Sequence, residues 1–126
     1  MYIVFYHDED FDGKCSAAIA RKFFGEKGIP IVLKAHNYEK EIDDSGFTEK
    51  DTIFFLDVTA NPYAKIPDLA EKYDVTVIDH HRSFKKFFDE NSLEGKFKYY
   101  YDENKSGCEL TWEYFYGAQP MPDIVS

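Results

Sequence analysis

Apolar and polar positions along the chain fall into two alternating kinds of run. Tyr2 to His7, Ile31 to Ala35, Thr52 to Leu56, Val75 to Ile78 and Gly95 to Tyr101 are short segments rich in β-branched or aromatic residues, and each predicts a strand. Between them the spacing turns helical. From Lys14, the residues Ala17, Ala18, Ile19 and Ala20 lead to Phe23 and Phe24 before Gly25 and Gly28 stop the helix. Asn61-Pro62 opens a second helix that runs to about Tyr73, and Phe84, Phe87 and Phe88 mark a short third. Ser106-Gly107 starts a fourth, Cys108 to Tyr116, with Leu110, Trp112 and Phe115 turned to the core. His36 to Asp51 has mixed charge and a turn at Asp44, Ser45 and Gly46, so it reads as an irregular connection. Ile124-Val125 reads as the beginning of another element.

Strands alternating with helices predict an α/β fold in three layers, a mostly parallel five-stranded sheet with helices on both faces and right-handed crossovers. At 126 residues one domain is expected over 1–126. No apolar run is long enough for a membrane span, and the N-terminus lacks the basic flank of a signal peptide; a cytoplasmic protein with no membrane partner is expected. Cys15 and Cys108 lack CxxC spacing and read as free thiols in the core. With 24 acidic and 15 basic residues the formal charge is −9, which disfavours long nucleic acid and leaves a short or single phosphate-bearing substrate open. Ten Tyr and twelve Phe could serve the core, subunit contacts or base stacking.

The acids are not spread evenly. Asp8, Asp10 and Asp12 follow the first strand, Asp57 the third, and Asp79 with His80 and His81 the fourth. In a parallel sheet those ends share one edge, the edge at which such sheets present chemistry. Together with His7 they gather carboxylates and imidazoles whose repulsion a cation would relieve. Mixed ligation of this kind suits Mn²⁺, Fe²⁺, Co²⁺ or Zn²⁺, with Mn²⁺ preferred here. Asp57 is placed to bridge two ions roughly 3.5–4 Å apart, the spacing that serves in-line displacement at phosphorus. Gly13 lets backbone approach a ligand, and helix N–H groups there could face a phosphate. Each acid alone has a structural explanation as a solvated turn or an N-cap. Three strand ends agreeing favour a metal site.

The segments YHDEDFDGKCSAA, FFLDVT, VIDHHRS and SGCELTWEYF, in that order and spacing, resemble the motifs of the DHH phosphoesterase family, named for the triplet seen here as Asp79-His80-His81. The resemblance covers nearly the whole chain and points to oligoribonuclease-like or exonuclease-like members. It implies two ions, Mn²⁺ with Mg²⁺, Co²⁺ or Zn²⁺ as alternatives, one held by His7, Asp10 and Asp57 and the other by Asp12, Asp57 and His80. His81 would contact the scissile phosphate, Asp79 would orient a neighbouring histidine, and Arg82 and Ser83 would contact the anion. The implied activity is a phosphodiesterase of short oligonucleotides or small phosphorylated nucleotides, using a metal-activated hydroxide.

Two departures from the family pattern stand out. His7 precedes Asp10 by three residues where many relatives have four, and the exonuclease-like pattern would use Asp8 as the first ligand instead. The family also supplies a further metal-binding Asp beyond the last helix and a C-terminal domain that grips substrate. Asp123 is the only acid near that place, so the chain reads as the catalytic half, with a homodimer as one means of closing the cleft. Two other functions compete. One is a weakly catalytic or non-catalytic domain that binds metal and a phosphorylated ligand. The other is a receiver-like phospho-acceptor with Asp57 as the acceptor; against it, the fourth strand ends in Asp-His-His rather than a hydroxyl residue, and no Lys-Pro follows the fifth.

Overall fold

The computed structural model describes residues 1–121; Asp123 and Ile124-Val125, singled out above, lie outside the described residues. Five strands, β1 (Tyr2–His7), β2 (Ile31–His36), β3 (Thr52–Leu56), β4 (Asp74–Asp79) and β5 (Lys98–Tyr101), form one sheet in the order β2-β1-β3-β4-β5. Every pairing is parallel, as expected. The chain leaves β1 toward β2 on one side and returns to build β3, β4 and β5 on the other. The order therefore reverses between β1 and β3, and a crevice opens at their carboxyl ends.

Strand alternation sorts the core into two faces. Val4, Phe54, Leu56 and Ile78 pack with Ala20 and Phe24 of α1 (Phe11–Glu26) and Leu110 of α4 (Gly107–Tyr116). Ile3, Phe5, Ile53, Phe55, Val75 and Val77 pack on the other side with Ile66 and Leu69 of α2 (Lys65–Ala70) and Phe84 of α3 (Arg82–Glu90). Helices thus cover both faces, giving the three layers. Many of the aromatic residues serve this core: Phe5 stacks on Phe55 at 5.1 Å between ring centres, and Phe54 meets Phe24 at 5.8 Å and Phe115 at 5.6 Å.

Several boundaries differ from those expected. α1 begins at Phe11 rather than Lys14, because the Asp10 carboxylate accepts the Gly13 N–H at 2.9 Å and caps the helix one turn earlier. α2 is confined to Lys65–Ala70, shorter than the helix expected from Asn61 to Tyr73. α4 starts as expected on a capping box, in which Ser106 Oγ accepts the Glu109 N–H at 3.1 Å and Glu109 accepts the Ser106 N–H at 3.2 Å. Cys15 and Cys108, expected as free thiols, are instead joined in a disulfide, their Cα atoms 5.7 Å apart. They are separated by 93 positions, and only the packing of α1 on α4, with Ile19 and Trp112 around the pair, brings them together. Among the described residues no helix is long and apolar enough to cross a membrane.

Candidate metal centre

β1, β3 and β4 deliver the predicted chemistry to one edge. β1 ends in His7, Asp57 follows β3, and β4 ends in Asp79 with His80 and His81 behind it. Asp57 still donates its N–H to the Ile78 carbonyl at 2.9 Å, yet its φ is +60°, a left-handed conformation that an Asp tolerates better than most residues. This turn tucks its side chain inward, where Asp57 is 1% exposed.

Asp57 presents a different oxygen to each side. Oδ1 lies 2.9 Å from His80 Nε2. Oδ2 lies 3.8 Å from His7 Nδ1, which is also 3.2 Å from Asp10 Oδ2. Two groups of donor atoms result, His7 with Asp10 and Asp57, and Asp57 with Asp79, His80 and His81; within each, the atoms lie within 4.8 Å of one another. Asp57 belongs to both, as a bridging carboxylate must.

The electrostatics favour a cation here. Asp57 Oδ2 and Asp79 Oδ2 are buried without a hydrogen-bond partner, a costly condition for carboxylates. Burial first, then Asp12, Asp79 and Asp10, push the Asp57 carboxyl up to about 8. A divalent ion would bind the orphaned Asp57 oxygen and reverse that shift, and its charge would ease the burial of Asp79 beside it. Imidazole nitrogen and carboxylate oxygen together suit a transition metal better than Ca²⁺. The residues present therefore fit the group that the sequence implied.

Asp79 and His81 form a separate pair. Asp79 is fully buried and its Oδ1 stands 2.7 Å from His81 Nδ1. That hydrogen bond raises the imidazole to about 8 and leaves Nε2 as the free end of the ring. Asp57 and His81 both have folded values above their ordinary ones, so the stability they contribute is held at lower pH and lost as pH rises through about 8. The metal-free protein is expected to melt at progressively lower temperature between about pH 4 and 8, most steeply above about pH 6.5 where both groups contribute, and Mn²⁺ to flatten that slope by removing the Asp57 share; scanning calorimetry with and without the ion checks this.

The remaining predicted residues take distinct places. Asp12 gives both oxygens to α4, accepting the Gly107 N–H at 2.8 Å and the Cys108 N–H at 2.7 Å, and stands 3.5 Å from His80 Nε2. A carboxylate has about four acceptor sites, so these bonds leave lone pairs for an ion. Asp8 turns away, accepting from Asn37 at 3.4 Å and facing Lys40 at 3.6 Å; the structure brings His7, and not Asp8, to the cluster. The Gly13 N–H, expected to be free for a phosphate, is taken by Asp10. Gly13 serves the site by packing instead: a Cβ there would fall 2.7 Å from the His7 Cβ and closer still to its carbonyl oxygen. Arg82 is exposed and pairs with Glu103 at 3.3 Å, while Ser83 shares a hydrogen bond of 2.8 Å with the Tyr63 hydroxyl.

Sequence reasoning missed the supports. Tyr38, from the connection read as irregular, accepts the Thr59 N–H at 3.2 Å and stands 6.2 Å, ring to ring, from His7. Gly107 approaches so closely that a Cβ would meet the Asp57 side chain at 2.7–2.9 Å. The SGC that opens the last helix was the one signal for that approach.

The sequence model of the DHH family, N-terminal domain, matches residues 2–125. Comparison with curated protein sequences gives no match.

Proposed function

This chain belongs to the DHH family, and on that premise we propose that it is a metal-dependent phosphodiesterase acting on short oligonucleotides or small phosphorylated nucleotides. The observation that carries the reading is Asp57, buried and facing one donor group with each oxygen. His7, Asp10 and Asp57 would hold one ion, and Asp57 with His80, supported by Asp12, the other. Two divalent ions, Mn²⁺ by the donor set, would supply an activated water and charge stabilisation at the phosphoryl group. Asp79 holds His81 Nδ1 and strengthens the ring's hold on its proton, so Nε2–H can bind a phosphate oxygen and stabilise the charge that develops in the transition state. α3 begins directly behind it without a side-chain cap, and its first N–H groups suit the same anion.

Purified protein with Mn²⁺ is expected to hydrolyse a chromogenic phosphodiester and di- or trinucleotides; no turnover of any of them overturns the reading. His81→Asn should lower kcat by about 10²–10³-fold, while Mn²⁺ affinity, measured by calorimetry, falls less than in His80→Asn. One observation favours a second reading: both Asp12 oxygens are already engaged by α4. A single tight Mn²⁺ without turnover would mark a domain that binds metal and a phosphorylated ligand.

A further inference from the structure

We propose that the groove between α1 and β2 binds phosphates flanking the scissile one in a short single-stranded oligonucleotide, an inference that rests on the phosphodiesterase reading. α1 uses Ala20 and Phe24 against the sheet and Cys15 and Ile19 toward α4. Its opposite flank, Lys14, Ala18, Arg21 and Gly25, overlooks β2, the sheet's edge strand. Between them lies a groove of about 660 Å³, with Tyr6, Ala17 and Leu33 among its lining; Leu33 is 36% exposed.

Charge selects the occupant. In a chain of formal charge −9 many cations are spoken for: Lys22 pairs with Glu26, Lys65 with Asp44, Lys85 with Asp89 and Lys105 with Glu113. Lys14 and Arg21 have no ion-pair partner among the described residues, and both line this groove. The acid at the groove's far end, Glu26, is engaged by Lys22 and by the Tyr116 hydroxyl. Two unpaired cations on an otherwise acidic protein form a local site for a polyanion.

Position ties the groove to the metal edge. Lys14 stands in the first turn of α1, its N–H bonded to the Asp10 carbonyl at 3.4 Å, and the preceding Gly13 rests on His7. Tyr6 is the residue before His7. A strand leaving the metal edge would meet Lys14 first and Arg21 about 10 Å further along the helix. No single phosphate spans that distance; a chain of nucleotides does, with Tyr6 and Leu33 offering apolar surface to sugars or bases.

The test compares a labelled hexanucleotide with a dinucleotide, using the full chain and Mn²⁺. Lys14→Glu combined with Arg21→Glu should weaken hexanucleotide binding, followed by fluorescence anisotropy, at least about tenfold. It should also reduce the slope of log Kd against log salt by about 1.4, the value for two lost contacts on a single strand. The lower KM of the hexanucleotide relative to the dinucleotide should vanish with it. A matched charge reversal elsewhere, Lys50→Glu with Lys96→Glu, should preserve both, and equal melting temperatures verify folding. Unchanged hexanucleotide affinity and salt slope in the groove variant, with the chromogenic diester still hydrolysed by the wild type, would overturn the groove and leave the hydrolase standing. Hexanucleotide binding that the groove variant loses, in a wild type that hydrolyses nothing, would support the groove and overturn the hydrolase.

Discussion

Asp57→Asn is expected to abolish turnover and to make the metal-free protein more stable at the same time. The two effects have one origin. Asp57 is buried beside Asp12, Asp79 and Asp10, and in the absence of a cation its carboxyl is pushed up to about 8. Above that pH the fold carries a buried charge that the unfolded chain would solvate freely, which is destabilising. Asn keeps the shape and removes the charge, so the metal-free variant should melt higher than the wild type at about pH 8 and show a flatter dependence between about pH 4 and 8. Asn offers one neutral oxygen where Asp57 faces the two donor groups with one anionic oxygen each, so it cannot serve both. Activity with Mn²⁺ should fall at least about a thousandfold, beyond the 10–100-fold typical when only a group supporting a ligand is lost. Melting curves across pH, with and without Mn²⁺, and turnover of a chromogenic diester read the two halves separately. A variant that loses activity but shows no gain in metal-free stability would mean that Asp57 does not carry the buried charge.

The parts of this molecule that could be read from its sequence are those whose signals are local. β3 and β4 announce themselves as TIFFL and VTVI because strands buried on both faces are apolar at nearly every position. The acids that follow them were legible as a site because a parallel sheet sends all its carboxyl ends to one edge. What stayed hidden depends on contacts between distant segments. Nothing near Asp12 predicts that the N–H groups of Gly107 and Cys108 hold its carboxylate, since 95 and 96 positions separate them. Cys15 and Cys108 were unreadable as a pair for the same reason. Asp8 and His7 were equal candidates on spacing alone; the side-chain alternation of β1 does not settle a residue beyond its end, and Asn37 and Lys40 draw Asp8 aside. Tyr38 had no signal at all, lying in an irregular stretch where its hydrogen bonds are to Thr59 and Asn61, 21 and 23 positions away.

Gly107→Ala should strike the metal centre through a residue with no functional side chain. Its missing Cβ leaves room for Asp57: a methyl group there would stand 2.7 Å from Oδ1 and 2.8 Å from Cβ of that side chain. Asp57 cannot retreat readily, because its backbone is anchored to Ile78 and its φ is already +60°. α4 must therefore shift, and the same helix start holds Asp12 through two N–H groups at 2.8 and 2.7 Å. One methyl group thus disturbs the bridging acid and a neighbouring predicted ligand together. Overpacking of this kind costs roughly 1–3 kcal/mol, which urea denaturation would read. The functional loss should be larger, with Mn²⁺ affinity by calorimetry at least about tenfold weaker, since ligand placement tolerates only about 0.5 Å of error. Gly46→Ala serves as the control, because nothing lies within 4 Å of a Cβ built there. If Gly107→Ala bound Mn²⁺ as tightly as the wild type, the start of α4 would have no part in setting the positions of Asp12 and Asp57, and the two-sided seat around Asp57 would reduce to β1, β3 and β4 alone.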